Sequence, residues 1–241
     1  MQDRYAGDIG DFGKFGLLSA LEKTGFRIGI NWYKVLPPSS EYRKDGSFMS
    51  ADGRHKIKEK YCPCDEVLAK KLFAISESDS RSIDALENAM LLKSATYFHD
   101  TVPVDCREQW HRKALDVLTD CDLVFLDPDN GLLVRSVKEG SPKSVKYVFD
   151  RELSEYIKRG QSVVLYNHRP RKQRDQYFAE MSERMIAASM GNPFMAITFP
   201  KGSIRDYFLI PANDDHSRRI KTALTELVSG QWGQLGLCKF E

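Results

Sequence analysis

Two periodicities alternate along this chain. Leu123–Val124–Phe125–Leu126 is an unbroken apolar run, the pattern of a strand buried on both faces. It stops at Asp127-Pro128-Asp129-Asn130-Gly131, whose composition predicts a turn at the strand's carboxyl end. Gln161 to Asn167 repeats the design, ending in the polar run Asn167-His168-Arg169-Pro170-Arg171-Lys172. Phe26 to Val35, bounded by Gly25 and Pro37-Pro38, predicts the first sheet strand, and Thr96 to His99 a shorter one. Phe194 to Phe199 and Asp206 to Pro211 flank a Lys201-Gly202-Ser203 turn, which predicts an antiparallel pair.

Helical spacing fills the intervals. It predicts helices from about residue 12 to 24, over 65–75, 82–93, 107–119, 150–158 and 172–188, and a last one over 215–228. Helix and strand in alternation make an α/β chain with a mostly parallel sheet, helices on both faces and an antiparallel C-terminal strand pair. The length suits one domain, 1–241, with a mobile or inserted segment near 37–95, where a long irregular stretch begins at Pro37.

Composition adds exclusions. The 36 basic and 34 acidic residues nearly cancel, so total charge names no partner. No run of about 18 apolar residues suggests a membrane span, and the first residues lack a secretory apolar core; the expectation is a cytoplasmic protein. Five cysteines, an odd number, argue against a disulfide framework, and Cys62-Pro63-Cys64 is too tight for the usual zinc spacing. No metal site is assigned.

Candidate chemistry gathers at strand ends, where open α/β sheets bind ligands. Asp127, Pro128, Asp129 and Asn130 follow one buried strand, and Asn167 and His168 end another; these six are the candidate catalytic group. From Tyr156 to Arg174 there are six Lys/Arg and no Asp or Glu. Arg169, Arg171, Lys172 and Arg174 are therefore candidate contacts to a nucleic acid or nucleotide. Near the N-terminus, glycines at 7, 10, 13 and 16 allow close approach of a ligand or of another backbone.

These blocks resemble a family. Gly7-Asp8-Ile9-Gly10-Asp11-Phe12-Gly13-Lys14-Phe15, followed by a leucine-rich helix, is similar to the Gly-Asn-x-Ala-Asp-x-x-Lys-His opening of the bacterial 23S ribosomal RNA adenine-N6 methyltransferases. Asp127-Pro128-Asp129-Asn130 stands where that family has Asp-Pro-Pro-Tyr. Leu165-Tyr166-Asn167, then Arg171-Lys172-Gln173-Arg174, stands where it has Trp-Tyr-Pro and a basic helix. Asp206 to Pro211 stands at its last apolar strand. The resemblance implies a Rossmann-like methyltransferase sheet and S-adenosylmethionine as cofactor. Gly7, Asp8, Gly10, Asp11 and Lys14 would line the cofactor pocket, together with Asn31 of the first strand. Asp127 and Pro128 would hold a target amino group.

The chain departs from the pattern at Asn130, where the family has a base-stacking aromatic, and at Val35-Leu36-Pro37-Pro38, where it has a glycine-rich turn. Two other readings follow. Asp127, Asp129 and Asn130 could ligate Mg²⁺ in a phosphodiesterase or nuclease, with His168 as acid or base. The scaffold could also serve as a non-catalytic nucleic-acid-binding module.

Overall fold

The computed structural model describes residues 1–36, 56–79 and 81–241. Its centre is a sheet in the order β2-β1-β3-β6-β8-β7-β9. The strands are β1 (Ile28–Asn31), β2 (Ala95–Phe98), β3 (Leu123–Leu126), β6 (Ser162–His168), β7 (Met195–Phe199), β8 (Arg205–Ile210) and β9 (Lys239–Phe240). From β2 to β6 all neighbours are parallel. β8 then runs antiparallel to both β6 and β7, and β9 antiparallel to β7. The predicted α/β class and antiparallel pair are present. The finer finding is that β8 wedges between β6 and β7, an order that sequence adjacency does not specify. A two-strand ribbon, β4 (Gly131–Leu132) with β5 (Tyr147–Val148), follows the acidic turn.

Helices cover both faces, and strand alternation decides which residues meet them. Leu123 and Phe125 of β3, Val164 and Tyr166 of β6, and Tyr207 and Leu209 of β8 share one core with α1 (Ile9–Lys23) and α7 (Asp214–Ser229). Val124, Leu126, Val163, Leu165, Phe208 and Ile210 face the other way. There they join α4 (Arg107–Val117), α5 (Asp150–Lys158) and α6 (Arg174–Ala188).

α1 begins earlier than its glycines suggest. The Asp8 side chain accepts from the Gly10 and Asp11 N–H groups at 2.6 and 3.0 Å and caps the first turn. The glycines serve packing. A Cβ on Gly10 would meet the Arg205 guanidinium at 2.8 Å, one on Gly13 the Phe199 ring at 2.6 Å, and one on Gly16 the Trp232 ring at 2.3 Å. It is the protein's own side chains that approach so closely.

Of the irregular stretch, Pro37 to His55 lies outside the described residues. The rest is woven into the α1-side core through Ile57, Tyr61, Leu72, Ile83 and Leu86 on or beside α2 (Glu66–Ser76) and α3 (Ile83–Asn88). The five cysteines are free. No helix among the described residues is long and apolar enough to cross a membrane.

Candidate functional site

A cavity of about 320 Å³ opens at the carboxyl ends of β3 and β6, between the start of α1 and the start of β8. The Asp127–Asn130 turn forms one wall; Asp8, Gly10, Asp11 and Lys14 form another. Tyr166 and His168 from β6, with Arg205 and Tyr207 from β8, complete it.

Lys14 is the electrostatic centre. It lies one helical turn after Asp11 and donates to that carboxylate at 2.7 Å and to Asp127 at 2.6 Å. Both pairs are almost fully buried. Burial alone would lower the Lys14 pKa, but Asp11 and Asp127 outweigh it and raise the value, so the ammonium stays charged. Burial pushes the Asp127 carboxyl up against the pull of Lys14 and of the Met1 amino group. Asp8 is raised by burial and by Asp11, against the pull of Arg205, whose Nη2 is 3.6 Å from it.

Asp129 behaves oppositely. Burial would raise it, but the Met1 amino group at 3.1 Å, a Gln2 hydrogen bond and Lys146 hold its carboxyl low. The same amino group donates to the Trp32, Tyr33 and Asp127 carbonyls. The cavity is thus lined by charges of both signs. His168 is depressed below its ordinary value by burial and by Arg205, with Asp206 opposing; its imidazole is neutral at pH 7 and chemically available.

Eight of the residues anticipated from the sequence therefore converge on the cavity within two segments: Asp8, Gly10, Asp11 and Lys14, and Asp127, Pro128, Asp129 and Asn130. His168 makes nine. Others are elsewhere, and alternation explains why. Asn31 follows Gly29 onto the opposite face of β1. Its amide donates to Tyr156 Oη at 3.2 Å and its oxygen accepts from the Tyr33 N–H, so it does not serve a cofactor pocket at this cavity. Asn167 points away from His168: it donates to Tyr177 Oη at 2.8 Å and accepts from the Leu132 N–H at 2.9 Å, pinning the ribbon behind the turn. That role is structural. Gly7 does not line the cavity; its N–H donates to Asp11 at 2.8 Å.

The basic segment is largely spent within the chain. Arg169 grips Asp206 with two hydrogen bonds, at 2.8 and 2.6 Å, and reaches Thr198 and Glu241. Arg174 pairs with Glu241 and Lys172 with Glu180. Arg171 is exposed. The solvent-facing pair of Lys172 with Glu180 contributes little and can exchange for a phosphate; Arg169, and Arg174 on the enclosed Glu241 carboxylate, cannot do so cheaply.

Sequence reasoning missed Arg205, Tyr207 and Gln2 as cavity residues. Period-two reading of β8 carried a usable signal: it puts Arg205 and Tyr207 on one face and Asp206 on the other. Among the described residues, no group of three or more His, Cys, Asp or Glu converges as a metal site. No protein-family model, curated protein or solved structure matches this chain.

Proposed function

We propose that this cavity is the active site of an S-adenosylmethionine-dependent methyltransferase-like enzyme acting on a nucleic-acid base or a related nucleotide. One observation carries the reading: the two segments that resemble the methyltransferase motifs, Asp8–Lys14 and Asp127–Asn130, are far apart in sequence yet share one cavity, joined through Lys14 and Asp127.

The donor set fits the cofactor in kind. S-Adenosylmethionine carries a carboxylate, an ammonium and a sulfonium, and the cavity offers Lys14 and Arg205 beside Asp8, Asp11 and Asp127. When bound, the cofactor supplies an electrophilic methyl group. Asp127 and the carbonyls of its turn would accept hydrogen bonds from the target amino group and keep the nitrogen lone pair directed outward; the rest of catalysis is positioning. His168, neutral and at the mouth, would take up the released proton. The metal-dependent reading gains no support, because Asp127 and Asp129 are not joined by a third His, Cys, Asp or Glu in a metal-holding group among the described residues.

Isothermal titration tests this. The wild type binds S-adenosylmethionine without added metal, with a Kd on the order of micromolar, and Asp127→Asn weakens binding or abolishes methyl transfer while the protein stays folded. Absence of binding to the wild type overturns the assignment.

A further inference from the structure

Buried polar atoms in folded proteins nearly always find partners, and each one left without costs about 1–3 kcal/mol. Two atoms of the cavity wall break this rule. Tyr207 is fully buried, yet its hydroxyl has no hydrogen-bond partner among the described residues. Gln2 is 1% exposed, and its side-chain oxygen is likewise unpartnered among them, while its nitrogen is used on Asp129. An unspent donor and an unspent acceptor, both lining one cavity, describe a place shaped for a polar ligand.

The surroundings say which polar group reaches Tyr207. Lys14 and Arg205 both act on the phenol electrostatically, opposed by Asp127 and Tyr166. Arg205 is fixed in place: its Nη1 donates to the Lys201 and Ser203 carbonyls at 2.8 and 3.2 Å. Burial keeps the phenol protonated far above neutral pH, so the hydroxyl remains a donor. With Lys14 and Arg205 lining the same cavity as this hydroxyl, the donor is matched by an anion. Tyr166, cross-strand from Tyr207, packs edge-on at 5.8 Å and holds the ring still.

We infer that Tyr207 is a specificity residue whose hydroxyl donates to the carboxylate of the ligand's amino-acid end, in the field of Lys14 and Arg205. The assignment rests on the methyl-donor reading for the identity of the ligand and on the cavity alone for the carboxylate.

The test compares the wild type with Tyr207→Phe, using S-adenosylmethionine, its decarboxylated analogue and acetate as probes. The wild type binds S-adenosylmethionine at least tenfold more tightly than the decarboxylated analogue. Tyr207→Phe loses about fivefold to tenfold in affinity for S-adenosylmethionine and little for the analogue. Its ligand-free Tm is unchanged or higher, since an unpartnered hydroxyl has been removed. Acetate raises the wild-type Tm and leaves that of Tyr207→Phe unmoved. A lower ligand-free Tm for Tyr207→Phe overturns the inference, because the hydroxyl would then have a structural partner. So does equal loss of affinity for both nucleosides, or an identical response of the two proteins to acetate. If the acetate difference holds but neither protein binds S-adenosylmethionine, Tyr207 still reads a carboxylate and only the methyl-donor reading falls.

Discussion

Gly16 shows how one absent methyl group sets the position of α1. Trp232 lies against it, within 2.3 Å of where a Cβ would stand, and packs tilted against Phe12 with ring centroids 4.6 Å apart. Propensity and packing make opposite predictions here. Alanine is favoured over glycine inside a helix by about 1 kcal/mol, whereas forcing extra atoms into a close-packed core costs about 1–3 kcal/mol. The indole is enclosed by the α1-side core, so packing wins. Gly16→Ala lowers the unfolding free energy by about 1–2 kcal/mol in urea titration; an unchanged or raised stability would mean that Trp232 swings aside freely. Gly131 is constrained differently. Its φ is 113°, and a Cβ there would stand 1.8 Å from Asn167 Oδ1, so only glycine fits at the exit of the acidic turn. The glycines were legible as places of close approach. What approaches them was not, because Trp232 and Phe199 arrive from the far end of the chain.

At the level of elements, the acidic turn depends on a clamp that lies outside the cavity. Arg107, at the start of α4, holds Glu152 of α5 through Nε and Nη2 at 2.6 and 2.9 Å, and its guanidinium also reaches the Ser144 and Tyr147 carbonyls. Glu152 caps α5 through the Phe149 N–H and accepts from Tyr33 Oη. The clamp therefore ties α4, α5 and the segment after β1 to the Ser144–Lys146 turn and the start of β5. The Lys146 carbonyl in turn accepts from the Asn130 N–H at 3.1 Å. Both ions are buried, so deleting one strands the other. Arg107→Met costs about 3–5 kcal/mol in chemical denaturation, while Arg107→Met with Glu152→Leu recovers most of it. A double variant no more stable than the single one would show that the guanidinium's carbonyl contacts, not the ion pair, carry the effect. The helices themselves were legible: 150–158 reads as a short helix stopped by Arg159-Gly160 and matches α5 residue for residue. The two-residue strands β4 and β5 were not, since two residues carry no period. Nor was the split of Asn167 and Arg169 from His168. Reading polar residues as one cluster ignored that successive side chains on a strand leave on opposite faces.

At the scale of the whole molecule, three histidines among the described residues, each on a different element, are held below their ordinary pKa by burial. His111 on α4 is lowered by burial, against Glu152 and Glu155. His168 at the end of β6 is lowered by burial and Arg205, against Asp206. His216 on α7 is lowered by burial and Arg219, against Asp122 and Asp215. In each, the folded value lies below the ordinary 6.5. A depressed folded pKa means that the unfolded chain binds more protons between the two values. The stability these groups permit is fully present above pH 6.5 and is lost as pH falls through the depressed values. Each proton taken up on unfolding adds about 1.4 kcal/mol per pH unit to the slope, so three set an upper bound. Screening at the more exposed His168 and His216 keeps the total below it. The raised carboxyls of Asp8 and Asp127 act with the opposite sign, since the folded state holds their protons more tightly; they oppose the histidines at the acid end of the window. Tm is therefore level from about pH 8 to 7 and declines below about 6.5, and His168→Gln declines less steeply than the wild type. A flat Tm between about pH 7 and 5 would show that the imidazoles are solvated enough to titrate as they do in the unfolded chain. It would also remove the argument that His168 stands neutral at the cavity mouth because of its surroundings.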